Sequence, residues 1–255
     1  MPFNNKNNGY VNEIEFVKEI NNKKYIELDY NLQLFIKDIC TEVSNDSRLK
    51  CFKNSQCQKY DIIIEVENKV KRISLKKGIK NSVHTEPISE FIHFLIKNKM
   101  PRNLVISFLK YHYADGTTNG TGINRIKIEE YKKNHQKEID EINEFINQEH
   151  IIKKITERFI TKGRNSNHCI DAIIYGVPED FIWIKTEDIY NILLLKKDIY
   201  STSIHFSSLT YQPLNRCINR NPRYEKDRFI SQIKWYNLCD DIIEQMNNKI
   251  INKLM

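Results

Sequence analysis

Apolar residues recur at helical intervals in some stretches of this 255-residue chain and alternate with polar ones in others. Val11, Ile14, Val17 and Ile20 predict a helix over residues 10–20. Leu32, Leu34, Phe35, Ile36 and Ile39 predict a second helix, or a short strand and helix, over 29–40. Residues 45–58 are polar and read as a loop. The pattern then changes. Ile62, Ile63, Ile64 and Val66, then Val70, Ile73 and Leu75, are β-formers on either side of Glu67-Asn68-Lys69, which predicts a β-hairpin. A loop is expected after Gly78, with Thr85 or its neighbour as a cap and Pro87 in a first helical turn. Ile88, Phe91, Ile92, Leu95 and Ile96 form the apolar face of that helix, so Glu86 is expected at its start.

Residues 103–113 are apolar enough for a buried helix or strand. One amphipathic helix is expected over 129–148 and another over 151–160, the latter ending at Gly163. Strands are expected over 170–175, 180–184, 204–209 and 229–235, with a short helix from Thr186 and a terminal helix over the last sixteen or so residues. These elements define an α/β protein with a mixed central sheet flanked by helices. No clean linker interrupts the pattern, which favours one domain over 1–255.

The hairpin carries the candidate chemistry. Asp61 lies seven residues before Asn68, and Leu75 seven after it, so folding brings Asp61 beside Ser74–Lys76. Side chains two apart share a strand face, which puts Ser74 and Lys76 together. A carboxylate facing a lysine in this way suits metal-dependent phosphodiester cleavage, where the acid holds a cation and the lysine acts on the attacking water. Glu67-Asn68-Lys69 also follows an acid, but six extended residues separate Glu67 from Asp61 by about 20 Å. Glu67 and Lys69 are therefore read as turn residues in solvent.

With Asp61 as the acid and Ser74-Leu75-Lys76 in the place of (D/E)-x-K, the hairpin resembles the PD-(D/E)xK nuclease superfamily. Ser74 departs from the pattern, because it supplies no negative charge. Some Type II restriction endonucleases of the superfamily also carry a neutral residue there and use a nearby side chain instead, and Glu86 is the candidate for that role. The first helix, with Asn12-Glu13, resembles the opening helix of such nucleases, making Glu13 a candidate beside the metal site. The order of the remaining elements is similar to the small Type II enzymes that cut four-base GC-rich palindromes. The resemblance implies a restriction-endonuclease-like fold with 1–150 mainly catalytic and 151–255 mainly concerned with DNA recognition. It also implies Mg2+ held by Asp61, the Leu75 carbonyl and Glu86, since an all-oxygen site with few protein ligands retains waters.

Charge sharpens the second half. The net charge is +7, which favours a polyanionic partner. Between Thr210 and Tyr236 six cationic residues, Arg216, Arg220, Arg223, Lys226, Arg228 and Lys234, face only Glu225 and Asp227. They are interleaved with Gln212, Asn215, Asn219, Asn221 and Gln232. Arginine pairs with guanine and Asn or Gln with adenine, so Gln212, Arg216, Asn219, Arg220, Asn221 and Lys234 are candidate DNA contacts. A second cluster, Arg164, Asn165, Ser166 and Asn167, follows Gly163 in an expected loop. Asp115–Gly122 holds three of the seven glycines but lacks P-loop spacing, so it reads as a flexible loop with DNA-backbone contact as a secondary option.

Six scattered cysteines without a C-x2-C pair read as reduced thiols. The N-terminus lacks a signal-peptide core, and no apolar run reaches membrane-span length. The combined expectation is a cytoplasmic bacterial Type II restriction enzyme acting on double-stranded DNA. A cognate DNA methyltransferase would act in the same system without a stable complex. The alternatives are a PD-(D/E)xK repair or junction nuclease and a non-catalytic DNA-binding protein.

Overall fold

The computed structural model describes residues 8–56, 58–78, 81–164, 166–198, 200–214 and 221–254. It is a mixed α/β fold whose segments form two compact units. One comprises Met1–Asn81, Glu157–Ile192 and Asn237–Met255, and the other Ser82–Thr156 and Leu193–Tyr236. Each unit therefore draws on both halves of the sequence.

The first unit is built on a mixed five-stranded sheet. Strands β1 (Lys50–Lys53), β2 (Ile62–Val66) and β3 (Lys69–Lys76) form an antiparallel meander. In sheet order, β5 (Ala172–Val177) follows, parallel to β3, and β6 (Asp180–Lys185) returns antiparallel. Helices α1 (Asn8–Ile20) and α2 (Tyr30–Ile39) belong to the same unit. Phe16 and Ile20 of α1 and Leu32, Phe35 and Ile36 of α2 share one buried core with Ile62, Ile64, Ile73, Leu75 and Ile174. The period-two burial of Ile62, Ile64 and Val66 gives β2 its core face. Asp29 caps α2 by accepting from the Leu32 amide at 2.9 Å.

The hairpin turn is tighter than its sequence suggests. Val66 pairs with Lys69, and Glu67 and Asn68 both have positive φ, 47° and 62°. That is the two-residue turn whose twist matches antiparallel strands. Lys69 thus begins β3 instead of lying in the turn, and its ammonium pairs with Glu42 at 3.2 Å. The Glu67 carboxylate accepts from the Ser47 hydroxyl.

The second unit carries a sheet in the order β4 (Asn81–Pro87), β9 (Ile230–Trp235), β8 (Leu209–Pro213) and β7 (His205–Phe206). Helices α3 (Ile88–Lys97), α4 (Arg102–Tyr113), α5 (Ile128–Asn134), α6 (Gln136–Ile146) and α7 (Glu149–Thr156) complete it. Leu209, Tyr211, Ile233 and Trp235 are buried, and Tyr211 meets Phe91 and Phe108 with ring centroids 5.1 and 4.6 Å apart.

Three expectations change. The loop expected over 45–58 contains β1, whose pairing with β2 no local pattern announces. The segment after Gly78 becomes β4, so Glu86 lies in a strand and Pro87 takes the N-cap position of α3. The helix expected over 129–148 breaks at His135 (φ −131°), whose ring stacks on Tyr131 with centroids 4.3 Å apart. Among the described residues no helix is long and apolar enough to cross a membrane.

Candidate active site

The hairpin brings Asp61 to the face that carries Ser74 and Lys76. Ile62 pairs with Ile73, and the Asp61 amide donates to the Ile73 carbonyl at 2.8 Å, which extends the ladder by one residue. Asp61 Oδ2 then accepts from the Leu75 amide at 2.6 Å and from the Ser74 hydroxyl at 3.1 Å. Lys76 Nζ lies 3.5 Å from the same oxygen, 2.9 Å from Ser74 Oγ and 3.0 Å from the Leu75 carbonyl. Ser74 is buried, whereas Asp61 and Lys76 keep part of their side chains accessible, at 27% and 20%. The cluster is open enough to receive a ligand and ordered enough to direct it.

Neighbouring elements fix the cluster in place. The Asp171 carboxylate, just before β5, accepts from the Arg72 amide at 2.8 Å and from Lys71 Nζ at 3.3 Å, which pins the start of the β3–β5 pairing. Beyond the far end of β3, the Tyr175 hydroxyl donates to the Gly78 carbonyl at 3.0 Å. On the approach to Asp61, Lys59 Nζ donates to the Phe159 carbonyl at 2.7 Å. Phe159 belongs to a π-helical turn, Glu157–Thr161, that follows α7. Gly163 has φ +83°, and a Cβ there would lie 3.0 Å from Lys59 Cγ. The Gly163-Arg164 loop therefore rests against the residue two before Asp61, a contact that no spacing in the sequence reveals.

The atoms suit a hard cation. Three oxygens, Asp61 Oδ2, Ser74 Oγ and the Leu75 carbonyl, already surround the Lys76 ammonium. Such an all-oxygen set with one carboxylate matches Mg2+, which keeps several of its waters, and not Zn2+, which favours nitrogen and sulfur. Among the described residues there is no group of three or more His, Cys, Asp or Glu side chains that could hold a metal.

The remaining expected residues are placed less uniformly. Glu13 of α1 pairs with Lys53 of β1 at 2.7 Å, and the same ammonium sits 3.6 Å from the Tyr10 ring centroid. The side chain that enters toward β5 from α1 is its neighbour Asn12, buried and donating to the Gly176 carbonyl at 3.1 Å. Glu86 is buried in β4 of the second unit, with His84 Nε2 3.3 Å from its carboxylate.

Of the candidate DNA contacts, Arg164 and Asn167 are exposed. Ser166 is buried and closes a local turn, donating to the His168 carbonyl at 2.8 Å and accepting from its amide at 3.0 Å. Asn221 caps a short 3-10 helix, Pro222–Phe229, by accepting from the Arg223 amide at 3.0 Å. Gln212 of β8 donates to Gln232 of β9 at 3.0 Å, and Lys234 follows on the same strand face. Gln232 and Tyr236 were legible only as part of a polar stretch; the period-two spacing Gln232, Lys234, Tyr236 is the signal that groups them. Asn165, Arg216, Asn219 and Arg220 lie outside the described residues.

Arg228, counted above among the basic residues of this segment, is engaged internally. It donates to Asp115 at 2.7 Å, to the Gly122 carbonyl at 2.9 Å and to Glu225 at 2.6 Å. Asp115 also accepts from the Thr117 amide at 2.9 Å and the Gly122 amide at 3.0 Å. The glycine-rich segment is thus a cross-braced loop, not the flexible one its composition suggests.

No family model matches the chain, and no curated protein matches it. Among solved structures, the chain is similar to the crystal structure of the restriction endonuclease MspI in complex with its cognate DNA. The likeness covers 92% of this chain and 93% of that one, with a TM-score of 0.54 at 12% identity. The chain therefore has a restriction-endonuclease-like fold.

Proposed function

We propose that this chain is a Mg2+-dependent double-stranded DNA endonuclease of the PD-(D/E)xK type, a Type II restriction enzyme. The observation that carries the reading is the convergence of Asp61, Ser74, the Leu75 main chain and Lys76 on one hairpin of this fold. Asp61 and the Leu75 carbonyl would hold Mg2+, with Glu13 outside them. When bound, the ion supplies charge stabilisation for phosphodiester hydrolysis. Lys76 orients the attacking water and takes part in its deprotonation. Ser74 holds Lys76 and Asp61 in register through its hydroxyl. Arg164 and Asn167 contact DNA from the loop beside Lys59, and Lys234 contacts it from the second sheet, with Asn165, Arg216, Asn219 and Arg220 as further contacts. A cognate methyltransferase protects the same sequence in a bacterial cytoplasm.

One observation favours a second reading. The neutral Ser74 leaves a single carboxylate in the cluster, which suits a DNA-binding protein that does not cleave. Digestion of a plasmid of known sequence in Mg2+ separates the readings. Discrete bands are the expected result. A smear would mean a nuclease without sequence preference, as in repair or junction processing. Intact plasmid with sequence-specific binding would mean a binder.

A further inference from the structure

On the second sheet, four polar side chains from β4, β9 and the residue just past β9, and β8 form one unbroken chain. The Tyr236 hydroxyl donates to Gln212 Oε1 at 3.2 Å, and Gln212 Nε2 donates to Gln232 Oε1 at 3.0 Å. Gln232 Nε2 in turn donates to Ser82 Oγ at 2.8 Å. Gln212 and Gln232 are directly paired across the β8–β9 ladder, and Thr210 and Lys234 are the adjoining pair on that face. The opposite face is the apolar one, carrying Tyr211, Ile233 and Trp235. An amide ladder on the half-exposed side of a sheet adds little to core packing, so its organisation calls for another account.

An amide has two N–H donors and two acceptor lone pairs. Gln232 is 9% exposed, too buried to reach a partner outside the protein. Gln212 is half-buried. Its two hydrogen bonds use one donor and one acceptor position, which leaves one N–H and one lone pair. Turning both amides over would reverse each bond and leave the same remainder, so the conclusion does not depend on which atom is oxygen. Gln212 thus keeps one donor and one acceptor position on an amide whose orientation is held from both sides. Its rotamer freedom is already lost in the free protein, which favours binding.

That pair has a specific complement. The major-groove edge of adenine offers the N7 acceptor and the N6 donor, whereas guanine offers two acceptors and leaves an amide oxygen unmatched. We propose that Gln212 reads an adenine in the recognition sequence, with Tyr236 and Gln232 as positioning residues that set the angle of its amide. Lys234, next along the face, suits the adjoining phosphate. This rests on the reading of the chain as a sequence-specific DNA nuclease and adds a claim that reading does not contain: the site includes an A·T pair.

The experiment is selection of bound and cleaved duplexes from a randomised library by the full chain at fixed salt. Wild type, Gln212→Met, Gln232→Leu and Tyr236→Phe are compared, each with its thermal midpoint recorded. The expected wild-type site contains an A·T pair. Gln212→Met should lose roughly 5- to 150-fold discrimination against G·C at that pair alone, the range for one bidentate contact. Tyr236→Phe and Gln232→Leu should lose part of the same discrimination, at the same position. A ladder that only stitches the strands would lower stability and leave base preference untouched, which would overturn the assignment. Specific cutting at a site made wholly of G·C pairs would overturn it too, while leaving the nuclease reading intact. Neither sequence preference nor Mg2+-dependent cutting by wild type would sink the nuclease reading and this assignment with it. If Gln232→Leu proves unstable, Tyr236→Phe, which removes only a hydroxyl, decides alone.

Discussion

The hairpin of the first unit and the basic segment of the second make opposite use of charge. In the hairpin, one acid and one lysine are held by a serine hydroxyl and a main-chain amide, and both remain partly open to solvent. In the segment around Arg228, charge is abundant and partly turned inward: Arg223 and Lys226 are exposed, whereas Arg228 is engaged internally. The Arg228 side chain is 11% exposed and the Asp115 side chain fully buried, and Arg125, also buried, reaches Glu225 at 2.5 Å. A few charges on a partly open strand face can carry chemistry, while many charges in a segment can serve as braces. Density of arginine along a sequence therefore does not by itself say which arginines are braces, as Arg228 is, and which stay exposed, as Arg223 does.

The contrast is broken or sharpened most strongly at Lys76. Lys76→Ala should lower the cleavage rate by about 10^2- to 10^4-fold, the range for a positioned proton-transfer group, with specific binding retained. Lys69→Ala should cut normally, because Lys69 is tied to Glu42 on the far side of the turn. Single-turnover rates on a defined duplex check both. Near wild-type cutting by folded Lys76→Ala would move the chemistry elsewhere.

Arg228→Ala tests the other half. Removing Arg228 takes the counter-charge from the buried Asp115 carboxylate, leaving it only the Thr117 and Gly122 donors, which costs about 3–5 kcal/mol. The measurement is the urea midpoint, and a shift within error would mean that Arg228 is not a brace. A smaller effect concerns His112, which packs against the same loop. Its Nε2 faces the Arg228 carbonyl at 2.6 Å, an acceptor only, so the neutral ring carries its proton there and Nδ1 accepts from the Tyr211 hydroxyl at 2.7 Å. Burial pushes the His112 imidazole down to about 4, against the opposing influence of the Arg228 carbonyl and Asp115. Between the unfolded value near 6.5 and the folded one, the unfolded chain binds the extra proton. Stability from this group is thus full above about pH 6.5 and lost as pH falls toward 4, by about 3 kcal/mol in all. Urea midpoints at pH 7 and 4.5 should diverge less in His112→Gln than in wild type. Parallel pH profiles would remove His112 from the account.

Local pattern determined a large part of this protein. Period-three spacing located α3, and apolar runs located β5 and β6. Spacing also placed α1, but its buried face is Asn12, Phe16 and Ile20 while Val11 and Ile14 are exposed. Residues 103–113 read equally as helix or strand until the fold made them α4. Local pattern also brought Asp61 to Ser74 and Lys76, since a short turn fixes the register of both strands and alternation fixes the faces. Tertiary structure decided the rest. Asn81–Pro87 is weakly patterned and becomes a strand beside β9, with Ser231 donating to the Glu86 carbonyl from 145 residues away at 2.9 Å. Glu13 meets Lys53, Lys59 meets Phe159, and Arg228 meets Asp115, each across a separation that no local period spans. Polar side chains can share a strand face at period two, as Gln232 and Lys234 do, but that spacing does not say what they meet. Whether a given arginine faces solvent, DNA or a buried aspartate depends on which remote backbone packs beside it, and only the folded chain sets that.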